Sequence, residues 1–279
     1  MAKVKEEREF PLAEREFKTL CQLATDYAGI QLLGHGKEDM VYGRLSRRLR
    51  ALGLDSFRAY VVLLESDAGK DEFEHFINAL TTNLTAFFRE NHHFEYLAST
   101  VLPALMKRNA ASRKIRIWSA GCSTGEEPYS IAMTVAECVP ESWDVRILAT
   151  DLDSNVLAHA ERGVYDENRL LGISKARLHR WFMKGSGREV RVKDRLRDMI
   201  SFRPLNLLQD WPMRGPLDVI FCRNVIIYFD NATKAALAAR YATLLHEDGT
   251  LFIGHSETLF KINDDFSLVE KTIYQRRML

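Results

Sequence analysis

Apolar positions recur along this chain at two different periods. Through residue 90 the spacing is helical: in "LAEREFKTLCQLATDYAGI" Phe17, Leu20, Leu23 and Ala24 fall on one face. "MVYGRLSRRLRALGL" continues the pattern to a glycine stop at Gly53, and "SFRAYVVLLES" and "DEFEHFINALTT" follow, with Ser56 and Asp71 as candidate N-caps. From Lys114 the pattern changes to short runs rich in Val, Ile and Phe: "KIRIWSAG", "WDVRILATD", "PLDVIFCRN" and "GTLFIGH". Helical segments lie between the first three, and residues 230–245 precede the fourth, which predicts a parallel sheet covered by helices. Within this half, residues 164–203 contain "REVRVKDRLRDMISFRP", where charged and apolar residues alternate, so two or three exposed antiparallel strands are expected there. The closing "FSLVEKTIYQRRML" fits antiparallel edge strands. The expected organisation is a helical domain over 1–90, a linker over 91–112 made of a connecting helix and a polar loop, and an α/β domain over 113–279 with 164–203 inserted in it.

Composition narrows the class. The 279 residues are 46% hydrophobic and 28% charged, ordinary for a globular protein. A net charge of +1 excludes a global attraction to nucleic acid. Cys21, Cys122, Cys138 and Cys222 lack metal-ligand spacing, so neither a zinc site nor a disulfide framework is expected. The N-terminal "MAKVKEEREF" has no apolar core of signal-peptide length, and no apolar run is long enough to span a bilayer. A cytoplasmic protein without membrane insertion is expected.

The candidate chemistry lies where strands are expected to end, because open α/β sheets bind ligands there. "SAGCSTGEEPYSIA" places a turn from Gly121 to Gly125 between a strand and a helix. It lacks the spacing of a dinucleotide or phosphate loop, and Glu126 and Glu127 would repel a phosphate. The glutamates either start the helix or receive a cation. Asp151, closing the next strand, either accepts from the two hydroxyls of a ribose or caps the helix after it, for which Ser154 is the other candidate. A nucleoside with a cationic end and no phosphate, as in S-adenosylmethionine, suits this set. "TTNLTAFFRE" sets Asn83, Thr85 and Arg89 around an aromatic pair, as a polar wall or as a solvated helix end. His92 and His93 are adjacent, so they diverge on a helix and make poor joint metal ligands. In "GRLSRRLR", Arg44, Arg47 and Arg48 share a face, Arg50 follows, and Asp55 is the only acid between residues 40 and 60. That face is either solvated or suited to an acidic partner.

"ALTTNLTAFFRENHHF", "IRIWSAGCSTGEEPYSIAM", "ATDLDSNVLAHAERGVY", "DVIFCRNVIIYFD" and "LFIGHSETL" together resemble the chemotaxis-receptor glutamate methyltransferases, the CheR family. The resemblance covers nearly the whole chain, with the motifs in family order. It implies a doubly wound class I methyltransferase sheet with an inserted small antiparallel β subdomain, preceded by an all-α N-terminal domain. It implies S-adenosylmethionine as cofactor, S-adenosylhomocysteine as product and γ-glutamyl methyl esters on chemotaxis receptors, the chemistry of sensory adaptation. Carried over residue by residue, the cofactor would meet Asn83, Thr85, Arg89, Glu126, Asp151, Asn206, Leu207, Arg223 and Asn224. Asp151 would take the ribose, Glu126 the charged amino-acid end, and the Asn206–Leu207 backbone the adenine. Arg89 and Tyr228 are the candidates for positioning the substrate carboxylate; Arg89 could instead hold the cofactor's carboxylate, and Tyr228 could simply pack. Arg44, Arg47, Arg48 and Arg50 would face the receptor's acidic methylation region. The loop in "MKGSGREVRV" is shorter than in members that dock on a tethering peptide at the receptor C-terminus, so no dependence on that tether is expected.

Overall fold

The computed structural model describes residues 8–32, 34 and 36–277. Residues 1–7, on which the expectation of no signal peptide partly rests, and 278–279 lie outside them. Two compact units divide at Thr82/Asn83, earlier than the boundary expected at 90. The reason lies in the intervening aromatic pair. Phe87 sits edge-on to Tyr165 at 5.0 Å and to Phe182 at 5.7 Å, and Phe88 to Phe94 at 5.2 Å, so both belong to the second core.

The first unit consists of α1 (Glu14–Ala28), α2 (Lys37–Leu52), α3 (Phe57–Leu64) and α4 (Lys70–Leu80). Leu20, Ala24, Leu45, Leu49, Phe57, Tyr60 and Phe76 are buried among them. Ser56 caps α3 by accepting the Ala59 N–H, as its sequence position suggests. Asp71 does not cap α4, which starts one residue earlier behind Gly69. There a Cβ would lie 2.0 Å from the Leu63 carbonyl oxygen, so a side-chain cap has no room.

The second unit opens with α5 (His92–Tyr96), a wide turn (Leu97–Val101) and α6 (Leu102–Arg108). The connecting helix and following loop expected over 91–112 are present, and Phe94, Leu97, Leu102 and Leu105 bury the helix in the core of this unit. It continues through β1 (Lys114–Ala120), α7 (Glu126–Cys138), β2 (Asp144–Asp151) and α8 (Ser154–Arg162). Next come β3 (Val164–Asp166), α9 (Lys175–Trp181), β4 (Phe182–Lys184), β5 (Glu189–Val192) and α10 (Asp194–Arg197). Last are β6 (Ile200–Pro204), β7 (Leu217–Cys222), α11 (Asn231–Leu244), β8 (Leu245–Ile253), β9 (Phe266–Glu270) and β10 (Ile273–Arg276). The seven-stranded sheet runs β6-β2-β1-β7-β8-β10-β9. Strands β1, β2, β6, β7 and β8 are parallel, and β10 and β9 close one edge antiparallel, as the C-terminal pattern suggests. Apolar side chains of α7 and of α11 belong to separate buried clusters, one with Phe221 and Phe252, the other with Trp118 and Ile220. The doubly wound reading therefore holds.

The inserted sheet is β3-β5-β4, antiparallel as expected. It ends before residue 203, however, because β6 joins the large sheet in parallel with β2, Ile200 opposite Ile147. The alternation "ISF" buries Ile200 and Phe202 and exposes Ser201, which suits an edge strand of either sheet, so the pattern alone could not assign it.

Candidate functional site

Strand order reverses about β1. Its successor β2 lies on one side and β7 on the other, which creates a crevice at their C-terminal ends. The turn leaving β1 is shaped for that place. Gly121 has φ 85°, and a Cβ there would meet Val225 Cγ2 at 2.3 Å. The Gly121 and Cys122 N–H groups both donate to the Thr150 carbonyl at 2.8 and 2.9 Å, folding the turn over the end of β2. Ser123, at φ 49°, donates its N–H to Asp151 Oδ2 at 2.8 Å. Asp153 donates its N–H to Asp151 Oδ1 at 3.0 Å. The helix cap proposed for Asp151 or Ser154 is made by Asp153, which accepts from the Asn155 and Val156 N–H groups. Each Asp151 oxygen accepts one of these N–H groups and keeps a further lone pair. Burial raises its pKa to about 6, opposed by the two N–H donors and reinforced by the charge of Asp153.

The segment before α5 lies against this turn. Asn83 donates from Nδ2 to Asp153 Oδ2 at 2.9 Å, and its carbonyl accepts from the Ser123 hydroxyl at 3.3 Å. The Thr85 carbonyl accepts from Arg169 at 3.1 Å. Arg89 is half-buried and donates from Nη1 to the Leu84 carbonyl at 2.6 Å. Phe88 and Glu90 have φ 54° and 56°, and Asn224 has φ 59°. With Ser123, they gather strained non-glycine backbone around the crevice, a pattern typical of functional sites.

Both glutamates after the turn have internal partners. Each already holds an internal arginine, because a buried carboxylate must be paired. Glu126 is fully buried and bonded to Arg169 and to the Thr124 hydroxyl. Glu127 accepts from Arg223 Nη1 at 3.1 Å and from the Ser119 hydroxyl at 2.7 Å; burial raises its pKa against these partners. Arg223 in turn faces Glu90 at 3.3 Å and donates to the Arg89 carbonyl, with its side chain 2% exposed. It is a buried post joining α7, β7 and the segment 83–90. Glu90 also accepts from His255 Nδ1 at 2.7 Å and from Asn224 Nδ2 at 3.4 Å. Burial opposes its ionisation, yet Arg223, His255 and Asn224 outweigh that and bring its pKa down to about 2.

Asn206 and Leu207 follow β6, where the Leu205 N–H donates to the Asp151 carbonyl at 2.9 Å, so they stand beside the ribose candidate. The Leu207 carbonyl already accepts from Arg240 at 2.8 Å. Tyr228 is half-buried and packs against the second apolar cluster. Four residues that sequence reasoning did not single out organise the site. Glu257 accepts from the N–H groups of Asn224 (2.9 Å), Ile227 (3.1 Å) and Gly254 (2.5 Å) and so fixes the loop leaving β7. Tyr165 donates to the Thr124 carbonyl at 2.7 Å and braces the glycine turn from the insertion. Glu90 and Arg169 complete the set. Glu90, Glu257 and Tyr165 stand inside the family motifs, but their burial, which the sequence does not display, is what marks them; Arg169 lies outside all five motifs.

In the first unit the arginines of α2 are largely spent. Arg44 donates to the Leu80 and Thr81 carbonyls at 2.7 and 2.6 Å, closing the end of α4. Arg48 grips Glu72 through Nε at 2.9 Å and Nη2 at 2.5 Å, with Tyr60 on the same carboxylate at 2.8 Å. Arg50 pairs with Glu9. Arg47 is exposed and has no ion pair among the described residues. The expectation of an unpaired arginine face therefore holds for Arg47 alone, since Glu72 and Glu9 arrive from outside the local window.

Two features define the crevice: an acid closing β2, held by the Ser123 and Asp153 N–H groups, and a turn at Gly121 too tight for a Cβ. Two family models match the chain: the CheR methyltransferase all-alpha domain over residues 15–81 and the CheR methyltransferase SAM binding domain over residues 83–275. It is 46% identical to the chemotaxis protein methyltransferase of Salmonella typhimurium, over 94% of this chain and 90% of that one. The Escherichia coli protein of the same name is 46% identical, over 94% and 91%. Chemotaxis protein methyltransferase 2 of Pseudomonas aeruginosa is 43% identical, over 96% and 95%.

Proposed function

We propose the reaction from one premise: the chain belongs to the CheR methyltransferase family. It is thereby an S-adenosylmethionine-dependent methyltransferase of the chemotaxis system. The finer reading is transfer of the methyl group to glutamate side chains of chemotaxis receptors in the cytoplasm, giving γ-glutamyl methyl esters and S-adenosylhomocysteine. The observation that carries it is the coincidence of the family match over 83–275 with the unit holding Asp151, the glycine turn and the Asn224 loop.

When bound, S-adenosylmethionine supplies an electrophilic methyl carbon on a sulfonium. Asp151 accepts from the ribose hydroxyls, and the Asn206–Leu207 backbone borders the adenine. A glutamate with a pKa of about 4.3 is ionised near neutrality, so the chain needs no general base. Its task is alignment, which contributes roughly 7–11 kcal/mol in the best intramolecular cases. Arg89, tied through its own carbonyl to Arg223, and Tyr228 at the mouth orient the carboxylate. Too firm a grip by Arg89 would stabilise the ground state and slow attack. Arg47 on α2 is the group for the receptor's acidic region. The connection between β4 and β5, residues 185–188, is short, which supports action without a receptor tether.

The test uses methyl-labelled S-adenosylmethionine and membranes bearing chemoreceptors. Receptor-dependent label released as volatile methanol by mild base is the expected result. Label stable to base would assign a different acceptor atom.

A further inference from the structure

Arg169 stands in the short helical turn Glu167–Leu170 of the insertion. Its Nε donates to Glu126 Oε1 at 3.1 Å; its Nη2 donates to the same oxygen and, at 3.1 Å, to the Thr85 carbonyl. Glu126 Oε2 takes the Thr124 hydroxyl at 2.6 Å. With both oxygens engaged and the residue fully buried, Glu126 offers no free charge to a ligand. Arg169 differs: its side chain is 42% exposed, and Nη1 has no hydrogen bond among the described residues. At the start of α7 the wall of the site therefore presents a fixed cation, where the sequence suggests an anion.

We propose that Arg169 binds the carboxylate of the cofactor's amino-acid end, with Glu126 and Thr85 holding its guanidinium in place. The proposal rests on S-adenosylmethionine being the cofactor. That amino-acid end is a zwitterion, so a guanidinium at this point complements one half of it, and a charge-assisted bond from a pre-oriented arginine is among the stronger polar contacts. The neighbouring arginines are differently committed. Arg223 is buried against Glu127, Glu90 and the Arg89 carbonyl. Arg89 turns back onto the Leu84 carbonyl and is left to the incoming glutamate. Arg169 also belongs to the insertion, so the inserted segment contributes directly to cofactor recognition.

Calorimetric titration with two thioethers tests this: S-adenosylhomocysteine, and 5′-deoxy-5′-(3-aminopropylthio)adenosine, which lacks only the carboxyl group. Arg169→Ala alone would strand the buried Glu126 carboxylate, so it is made in a Glu126→Gln background and compared with Glu126→Gln itself. The expected result is a loss of about 10- to 100-fold for S-adenosylhomocysteine, with the decarboxylated thioether bound within about twofold of the background. Arg169→Lys, which retains the charge beside Glu126, should give a smaller loss with the same selectivity. Equal losses for both thioethers in either variant would mean a purely structural arginine and overturn the proposal. Tighter binding on removal of Arg169 would mean a plug and also overturn it. Failure of the wild-type chain to bind either thioether would remove the cofactor assignment itself, a different and separately visible failure.

Discussion

Asp151 and Glu90 are carboxylates with opposite responses to pH. Burial lifts Asp151 to about 6. Below that it is protonated and can no longer accept from both ribose hydroxyls, so affinity for S-adenosylhomocysteine should be level above neutrality. It should fall below pH 6 by up to about tenfold per unit. Titrations from pH 5 to 8 check this, and a flat profile would exclude Asp151 as the ribose acceptor. For folding the sign reverses, because a raised acid withdraws stability as pH rises through its folded value. Glu90, brought down to about 2, contributes stability above its unfolded value of about 4.3 and loses it as pH falls toward 2. Acid melting of Glu90→Gln should therefore lack that component. Glu257→Ala orphans the N–H groups of Asn224, Ile227 and Gly254 and should cost at least about 2 kcal/mol in denaturant unfolding. These roles were unevenly legible. Asp151 is visible because it closes an apolar run, whereas Glu90 and Glu257 act inward on groups that sequence spacing does not bring together.

The glycine turn and the inserted sheet decide what each element can tolerate. Gly121→Ala drives a methyl into Val225 at a backbone angle alanine resists, so cofactor affinity should fall by about tenfold or more. Adding Val225→Ala should recover part of that loss by removing the clash while leaving the strain; no recovery would show that backbone angle alone is responsible. Period was a good guide to elements: the four apolar runs became β1, β2, β7 and β8, and the C-terminal stretch became β9 and β10. It failed at β6, whose alternation suits two sheets equally; at residues 91–112 it gives the helix but not its burial, since which face packs on the sheet is set by the fold.

For the molecule as a whole, the arginines of α2 show how a local reading misleads. Arg48→Glu faces the buried Glu72 and should destabilise the first unit by about 3 kcal/mol, so reduced receptor methylation in that variant would report misfolding. Arg47→Glu should leave the melting temperature within about a degree, since exposed changes are nearly neutral. It should nevertheless lower receptor methylation several-fold without altering cofactor affinity. Unchanged methylation would remove Arg47 from the receptor-facing surface. Both carboxylates that occupy this helix come from segments outside it, which is why an acid-poor window suggested free charge.

Glu257 also sets a schedule. On the ribosome, the turn after β1 and the acid closing β2 emerge long before β7, and the loop carrying Asn224 emerges before the carboxylate that holds its N–H groups. At about 5–20 residues per second, several seconds separate the first half of the cofactor crevice from the side chain that completes it. A nascent chain arrested ahead of Glu257 would carry every residue named for the ribose and adenine and still lack the acceptor that fixes the Asn224 loop. Fixing of the Asn224 loop thus becomes a late event in synthesis, after the parallel strands have been made.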